Sequence, residues 1–278
     1  MTKSPEFAGP TSIDRRLFDE LIGLASRAGA AILAAGPPGL SRRDKPDLSP
    51  VTAADEASDA VILEGLARLL PGVPVVSEED ARRHAPAAPG GLFVLVDPLD
   101  GTRELLAGER EYTVNIALVD GGSPVAGIIA APALATMWTG IVGAGAERLR
   151  LAPGTESAAA RERVTIRTRV RPKQGAVALI SRFHRDAETD AYLDRMPAVE
   201  RVVCGSSIKF CRIAEGAADL YARMTSISEW DAAAGHALVV AAGGAMTAFD
   251  GGPLPYGRPG FRLPAFIAIG DPNAGIPV

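Results

Sequence analysis

Acidic residues follow two apolar runs in the segment "VSEEDARRHAPAAPGGLFVLVDPLDGTRE" at positions 76–104. Glu78 comes directly after "VPVVS", and Asp97 and Asp100 follow "LFVLV". Both apolar runs are typical of buried strands. Carboxylates that leave buried strands close together repel one another unless a cation lies between them. The chemistry of this segment therefore depends on which cation it binds.

The motif "VDPLDGT" can bring two aspartates to one point. Pro98 fixes its own φ and favours an extended Asp97, while Gly101 allows a sharp change of chain direction. Asp97 and Asp100 can then converge beyond the strand end, where Mg²⁺, a hard ion that prefers oxygen ligands, is the expected partner. The competing interpretation is an ordinary turn, because Asp-Pro and Asp-Gly are common turn dipeptides.

Two further carboxylates occupy the starts of predicted helices. Asp231 lies in "EWDAAAG", where it could also serve as a helix N-cap. Asp55 lies in "SPVTAAD" beside Thr52, where a surface carboxylate stabilised by the helix dipole is the default interpretation. The residues alone leave these alternatives open.

The four motifs "SPVTAAD", "VSEED", "VDPLDGTRE" and "EWDAAAG", in this order, resemble a known enzyme family. The family is that of the lithium-sensitive, Mg²⁺-dependent phosphomonoesterases, which include inositol monophosphatase, fructose-1,6-bisphosphatase and the bisphosphate nucleotidases. The resemblance runs from about residue 12 to residue 270. It implies a layered α/β (α+β) sugar-phosphatase fold of the αβαβα type, with a metal site between its two halves.

The resemblance also implies ligands for two or three Mg²⁺ ions. The ligands it assigns are Glu78, Asp97, the backbone carbonyl of Leu99, Asp100 and Asp231. Glu78, Asp97 and the Leu99 carbonyl would bind the first ion, and Asp97 would bridge to a second. Thr102, hydrogen-bonded to Asp55, would polarise the attacking water with help from Glu78. Glu79 is the competing choice for the position of Glu78.

Two segments resemble the bisphosphate-nucleotidase branch of the family. They are "DGTRE", although Leu105 replaces the usual aromatic residue after it, and "GSSIKFCRIAEGAADLYARM". The substrate-binding residues that this implies are Gly101, Thr102, His184, Ser206, Ser207, Lys209, Arg223 and Asp231. Lys209, His184 and Arg223 would engage the phosphate or ribose remote from the reaction. Without the resemblance, Ser206 and Lys209 would be interpreted as an ordinary helix start with a solvated lysine.

The implied activity is hydrolysis of 3′-phosphoadenosine 5′-phosphate to AMP and phosphate by metal-activated water, without a covalent phosphoenzyme. This reaction clears a by-product of sulfate assimilation. An inositol monophosphatase or fructose-1,6-bisphosphatase with the same metal site is the nearest alternative. An inactive regulator that binds nucleotide or metal is an alternative from another class. The expected partner is a small phosphorylated nucleotide, and a homodimer is an open alternative to a monomer.

The elements that must position these residues follow from periodicity and turn signals. Helices are predicted at 12–35, 52–70, 186–195, 206–215 and 230–242, with an exposed loop at 37–50. Strands are predicted at "VPVVS", "LFVLV", "GAVALI", "AMTAF" and "FIAIG", around 199–203, and as a pair joined at 120–123. Residues 151–163 lack an apolar face. They suggest an N-terminal half, 1–155, with the metal motifs and a C-terminal half, 156–278, with the substrate motifs.

Composition limits the remaining function classes. The chain has 278 residues, 47% hydrophobic residues and a net charge of -4, so a globular protein is expected without long-range attraction for nucleic acid polymers or anionic membranes. Cys204 and Cys211 are too few for a disulfide framework and lack zinc-site spacing.

No signal peptide or membrane span is predicted, which indicates a soluble cytoplasmic protein. The family resemblance suggests loose attachment to the inner face of a bacterial membrane, which the composition does not support. His84 and His236 are interpreted as non-catalytic.

Overall fold

The computed structural model describes residues 13–36, 42–44, 50–84, 88–196 and 199–275. The helices are α1 (Arg15–Ala35), α2 (Ala53–Leu69), α3 (Glu78–His84), α4 (Thr102–Leu106), α5 (Ala187–Asp194), α6 (Ile208–Ala214) and α7 (Ala233–Ala241). The strands are β1 (Arg42–Asp44), β2 (Pro50–Thr52), β3 (Val75–Ser77), β4 (Phe93–Asp100), β5 (Thr113–Asp120), β6 (Ser123–Ala131), β7 (Thr136–Ile141), β8 (Gly145–Arg150), β9 (Glu162–Ile166), β10 (Ala176–Ser181), β11 (Val199–Cys204), β12 (Leu220–Arg223), β13 (Ile227–Ser228), β14 (Ala245–Ala248), β15 (Arg262–Leu263) and β16 (Phe266–Ile269).

Two sheets form the framework. The first has seven strands in the order β3-β4-β5-β6-β7-β8-β9, and the second has five in the order β11-β10-β12-β16-β14. In the first sheet β3 and β4 are parallel and the later neighbours are antiparallel. Most neighbouring strands of the first sheet are therefore consecutive in the chain, whereas several neighbouring strands of the second sheet are joined by connections that cross over other elements.

The hydrophobic clusters show that the elements stack in five layers. Leu24 of α1 and Ile62 of α2 pack with Val96 on one face of the first sheet. Alternate residues of the same strands, such as Leu95, face the other side and pack with α6, α7 and the second sheet. The far face of the second sheet packs against Leu193 and other residues of α5. The order of layers is thus αβαβα, which confirms the fold expected from the sequence.

Most of the predicted elements are present, with small shifts at their ends. α1 begins at Arg15 after the N-cap Asp14, and α2 begins after Thr52. The prediction of a long exposed loop at 37–50 is wrong at Arg42–Asp44 and at Pro50, because these residues belong to the antiparallel pair β1 and β2. Residues 37–41 and 45–49 lie outside the described part. The sequence patterns do not predict the helices α3 and α4 or the strands β1, β2, β7, β8, β9, β12, β13 and β15.

The change of sheet falls later in the chain than the predicted boundary between halves. β9, which ends at Ile166, still pairs with β8 of the first sheet, and β10 begins the second sheet. The division at residue 155 stays a prediction. In the described part of the chain, no helix has the length and apolar character needed to cross a membrane. The peripheral membrane association finds no support.

Candidate active site

A register shift between β4 and β5 places two aspartates on one face of the first sheet. Asp97 pairs with Asn115 and Asp100 pairs with Thr113, so three steps along β4 match two along β5. The extra residue of such a bulge offsets the strict alternation of side chains. Pro98 lies in this irregular segment, as expected for a residue that cannot donate to the ladder. The bulge therefore turns Asp97 and Asp100 toward the same region.

Three carboxylates meet there. Ligand oxygens of Glu78, Asp97 and Asp231 all lie within 4.8 Å of one another. They come from the start of α3, from β4 and from the 3₁₀ turn Glu229–Asp231 before α7. Asp97 is 1% exposed. An all-oxygen group of three acidic side chains at this spacing fits a hard divalent cation, because the negative charges would otherwise repel one another. Glu79, the competing choice, is outside this group.

Asp100 lies outside the group of three and binds a hydroxyl instead. Its Oδ2 accepts a hydrogen bond of 2.7 Å from Ser206 Oγ. Burial raises the pKa of Asp100 in the absence of a cation, and Glu78 adds to this, while the Lys209 ammonium and the Ser206 hydroxyl oppose it. Asp231, for its part, does not act as a side-chain N-cap for α7.

Thr102 and Asp55 are in contact, as the family resemblance implied. Thr102 Oγ1 donates to Asp55 Oδ1 at 3.0 Å. The other oxygen, Oδ2, accepts from the Thr52 backbone N–H at 2.9 Å and from Thr52 Oγ1 at 2.7 Å. Asp55 is thus the third helical residue of a capping box rather than a solvated surface carboxylate. The start of α2 thereby fixes the carboxylate that the Thr102 hydroxyl contacts.

The loop before α6 carries Ser206 in a constrained conformation. Ser206 has a φ of 52°, in the left-handed region that few residues other than glycine adopt. The preceding residue, Gly205, donates its N–H to Glu111 Oε2 at 2.9 Å, and a Cβ there would lie 2.8 Å from the Glu111 carbonyl oxygen. Arg182 holds the same Glu111 carboxylate at 2.7 Å. These contacts fix the loop so that the Ser206 hydroxyl reaches Asp100.

Lys209 is buried and not a solvated lysine. Its side chain is 5% exposed, and its ammonium lies 5.2 Å from the centroid of the Tyr221 ring. The ammonium donates to the backbone carbonyls of Ser206 and Cys204. Lys209 therefore supports the loop that carries Ser206, and one of its three N–H donors is left over for a ligand.

A cavity of about 180 Å³ joins the acidic group to the basic residues. Its lining includes all the predicted site residues except Asp55, which lies behind Thr102. Desolvation and the nearby cations Arg103, Arg223 and Lys209 lower the pKa of His184 to about 4. His184 is therefore neutral at pH 7 in the free protein and is not one of the cations of the cavity.

Glu104 adds a buried carboxylate to the cavity wall. It is 3% exposed, and burial together with the charge of Asp100 raises its pKa to about 6. A Cβ added to Gly205 would lie 2.9 Å from Glu104 Oε1, so this carboxylate packs against the loop that carries Ser206. The Arg103-Glu104 pair is therefore split, with Arg103 exposed and Glu104 inside.

Tyr221 is a cavity residue that the sequence interpretation missed. It lies two positions before Arg223 on β12, and side chains two apart on a strand share a face. Recognition of β12 would have found it. His236 contacts Tyr256 rather than the cavity, in agreement with a non-catalytic role. The side chain of His84 lies outside the described part of the structure.

Comparisons with known proteins agree with this geometry. The inositol monophosphatase family model matches residues 14–268. The chain is 39% identical over 257 residues to the 3′(2′),5′-bisphosphate nucleotidase CysQ of Escherichia coli K12, covering 89% of this chain and 99% of that protein. It is 32% identical over 216 residues to a histidinol-phosphatase of Mycobacterium tuberculosis, covering 77% of this chain and 79% of the relative.

Among solved structures, CysQ from Bacteroides thetaiotaomicron superposes with a TM-score of 0.76 at 32% identity and covers 93% of this chain and 98% of its own. That protein is a bacterial member of the inositol monophosphatase family. Proteins of this family are metal-dependent phosphatases, which agrees with the all-oxygen acidic group. With the family model spanning nearly its whole length, this chain belongs to the inositol monophosphatase family.

Proposed function

We propose that the protein is a Mg²⁺-dependent 3′(2′),5′-bisphosphate nucleotidase that hydrolyses 3′-phosphoadenosine 5′-phosphate to AMP and phosphate. The observation that carries the proposal is one cavity that is lined both by the carboxylates Glu78, Asp97 and Asp231 and by the cations around His184. A substrate with two phosphates would use both parts of this lining. The similarity to the bisphosphate nucleotidase of Escherichia coli supports the same substrate.

The acidic group would hold the metal ions. Glu78, Asp97 and the Leu99 carbonyl are the proposed ligands of one Mg²⁺, and Asp97, Asp100 and Asp231 those of a second. When bound, Mg²⁺ lowers the pKa of a coordinated water and neutralises charge on the phosphoryl group. Neighbouring Glu78 and Asp97 would otherwise repel each other, so the metal-free and metal-bound proteins should differ in stability.

The Thr102 hydroxyl would orient the attacking water. Its proton has two acceptors within reach, Asp55 Oδ1 at 3.0 Å and the Leu99 carbonyl oxygen at 3.3 Å, so its lone pairs are available to accept a hydrogen bond from water. The capping box holds Asp55 through its other oxygen and prevents the carboxylate from rotating away. Thr102 Oγ1 would accept a proton from the water while its own hydroxyl proton passes to Asp55, with Glu78 as a second acceptor nearby. No covalent phosphoenzyme is needed.

The basic part of the cavity would bind the phosphate that does not react. Arg223 and Lys209 supply positive charge, and neutral His184 supplies a hydrogen bond to phosphate or ribose. Gly101 and Thr102 open α4, whose first backbone N–H groups have no partner within the helix and can donate to the reacting phosphate. Binding energy from the remote phosphate can then lower the barrier at the reacting one.

A substrate panel tests the activity. Phosphate release is measured with Mg²⁺, with and without lithium, for 3′-phosphoadenosine 5′-phosphate, inositol 1-phosphate, fructose 1,6-bisphosphate and histidinol phosphate. The bisphosphate nucleotide should give the highest kcat/KM. A lower value than for any of the other three would overturn the substrate assignment, and binding without release would favour an inactive regulator.

Arg223→Met separates the two parts of the cavity. The change removes a charge that lines the cavity but keeps an apolar stem, and the wild-type guanidinium contacts Thr225 Oγ1 at 3.2 Å. We expect kcat/KM for the bisphosphate to fall about tenfold or more, the scale of one charged hydrogen bond, with little change for inositol 1-phosphate. Arg185→Met is the matched control, because Arg185 is exposed and paired with Asp190 at 2.9 Å. Equal losses on both substrates would contradict the proposed division.

A further inference from the structure

We propose that Thr113 and Asn115 are positioning residues for metal binding, because they supply a one-directional chain of hydrogen bonds that ends on Asp100. The chain runs from Asn115 through Ser207, Thr113 and Ser206 to Asp100. It assigns a structural task to two buried polar residues outside the sets of metal ligands and substrate contacts. The inference rests on the metal site proposed above.

The contacts are short and continuous. Ser206 Oγ is 2.7 Å from Asp100 Oδ2 and 2.6 Å from Thr113 Oγ1. Thr113 Oγ1 is 2.7 Å from Ser207 Oγ, which is 2.7 Å from the Asn115 side-chain amide. Thr113 is 0% exposed, Asn115 1%, Ser207 2% and Ser206 8%. Thr113 and Asn115 lie outside the cavity lining and are almost fully buried, so their side chains depend on these neighbours for hydrogen bonds.

Counting protons fixes the direction of the chain. The ionised form of Asp100, the one that binds a cation, can only accept, so Ser206 must donate to it. Because the Ser206 proton is used on Asp100, the proton in the 2.6 Å contact between Ser206 and Thr113 must come from Thr113. Thr113 has a single hydroxyl proton, so it cannot also donate to Ser207. Ser207 must therefore donate to Thr113 and receive a hydrogen bond from Asn115.

The orientation of the Asn115 amide agrees with this count only after its oxygen and nitrogen are exchanged. With the oxygen toward Ser207, both serines would donate outward and one Thr113 contact would have no proton between its oxygens. In that orientation Asn115 Nδ2 is also a buried donor without a hydrogen-bond partner among the described residues. Exchanging the two atoms places an N–H toward Ser207. Such exchanges are assigned from the hydrogen-bond network.

The chain links the metal ligand to the substrate loop. Thr113 and Asn115 lie on β5 directly opposite Asp100 and Asp97 of β4. Ser206 and Ser207 belong to the loop before α6, and Ser206 follows Thr113 of β5 by 93 positions in the sequence. The Ser206 hydroxyl and the Ser207 backbone N–H both donate to the Asp100 carboxylate and hold it in place. Loss of the chain should loosen Asp100 and the Ser206 loop together.

Thr113→Val tests the central link without changing side-chain shape. The Mg²⁺ affinity of the full-length protein is measured by isothermal titration calorimetry, with no substrate present. We expect Thr113→Val to weaken Mg²⁺ binding about tenfold or more, the usual effect of removing a group that orients a ligand. Thr113→Ser keeps the hydroxyl and should bind Mg²⁺ like the wild type.

Two further variants make the result interpretable. Thr139→Val is the matched control, since Thr139 is 2% exposed on β7 of the same sheet and should tolerate the change without loss of Mg²⁺ affinity. If Thr113→Val does not fold, Ser207→Ala interrupts the chain at the next link and should show the same loss. If folded Thr113→Val or Ser207→Ala protein bound Mg²⁺ as tightly as the wild type, the proposed role of the hydrogen-bond chain in metal binding would be wrong. Failure of the wild type itself to bind Mg²⁺ would instead overturn the metal site.

Neutron diffraction from deuterated crystals tests the direction. Deuterium on the Asn115 amide should point at Ser207 Oγ, and deuterium on Ser207 should point at Thr113. An Asn115 oxygen facing Ser207 would overturn the proposed direction. The affinity measurement would then still report whether the residues position Asp100.

Discussion

At the scale of single residues, the Thr102 hydroxyl is the group whose chemistry is most sharply defined. It donates to Asp55 at 3.0 Å and lies beside the acidic group. Thr102→Val should reduce kcat by about 10² to 10⁴, the range attributed to one group that handles a proton, because water would lose its acceptor. Thr102→Ser keeps the hydroxyl and should retain most of the activity. Steady-state kinetics with saturating Mg²⁺ checks this, and an active valine variant would exclude the role.

Replacement of Asp231 should have opposite effects on two quantities. It should preserve or raise the stability of the metal-free protein, and it should reduce the stabilisation that Mg²⁺ provides. In protein treated with a chelator, Asp231→Asn removes one of three neighbouring negative charges and should leave the unfolding midpoint equal to or above that of the wild type. Saturating Mg²⁺ should stabilise the wild type, by about 2.7 kcal/mol at 100 times the dissociation constant, and the variant much less. Thermal unfolding with and without Mg²⁺ measures both.

The control for this comparison is Glu188→Gln, which removes an exposed charge from α5. It should respond to Mg²⁺ like the wild type. Equal stabilisation of the Asp231 variant and the wild type would contradict a role of Asp231 as a metal ligand.

Sequence patterns located the acidic residues but not their supports. Asp97 and Asp100 can be recognised as site residues from the sequence, because Pro98 and Gly101 follow them and the motifs occur in a known order. Asn115 cannot be recognised in this way, since "TVNIALV" has the pattern of an ordinary strand. Only the strand register, which places Asn115 opposite Asp97, shows that its amide lies near the site. The residues alone leave a solvated Lys209 open for a similar reason, because its burial depends on Tyr221 from a strand that periodicity does not reveal.

At the scale of elements, the close approach of β6 and α7 fixes the position of Asp231. A Cβ at Gly127 would lie 2.2 Å from the Ala234 carbonyl oxygen, so only glycine allows this contact between strand and helix. Gly127→Ala should cost about 1 to 3 kcal/mol of unfolding free energy, as overpacking does, and should weaken Mg²⁺ binding because α7 follows Asp231. Urea denaturation and calorimetry measure the two effects.

Gly90→Ala is the matched control for that change. A Cβ at Gly90 would meet no atom within 4 Å, and the residue is exposed. Its stability and Mg²⁺ affinity should stay at the wild-type values. If Gly127→Ala lowered stability but left Mg²⁺ affinity unchanged, the link between α7 and Asp231 would be wrong.

Elements with a strong periodic pattern were predicted well, and elements defined by pairing were not. α1 shows apolar residues at three- and four-residue steps and was recognised within a few residues of its ends. β8 and β9, with sequences "GAERLR" and "ERVTI", carry many charges because they lie toward the end of the sheet. Their strand character comes from hydrogen bonds to neighbours, which local composition does not encode.

At the scale of the whole molecule, the five layers follow from elements that are apolar on two faces. Alternate residues of β4 belong to different hydrophobic clusters, with Phe93 and Leu95 in one and Val94 and Val96 in the other. A continuous apolar run of this kind predicts a strand covered on both sides. Sequence therefore indicates that layers lie above and below the first sheet. The family resemblance, and not periodicity, supplied their order.

The central helical layer also contains a group that should govern acid stability. His236 of α7 has Nδ1 3.0 Å from the Tyr256 hydroxyl, and burial lowers the pKa of His236 to about 4 from an ordinary value of 6.5. Below pH 6.5 the unfolded chain binds a proton that the folded protein does not accept until about pH 4. Stability should therefore fall as the pH drops through this interval, and this residue should not change it above pH 6.5.

His236→Gln isolates that contribution because it keeps a polar side chain near Tyr256 and removes the titration. The two pKa values correspond to about 3 kcal/mol, so the wild type should lose about that much more unfolding free energy than the variant between pH 6.5 and pH 4. Other groups that titrate in this range, such as Glu104 with a pKa of about 6, are common to both proteins and cancel in the difference. Urea denaturation of chelator-treated protein at several pH values provides the two curves. Parallel curves would show that His236 is protonated in the folded protein as readily as in the unfolded chain.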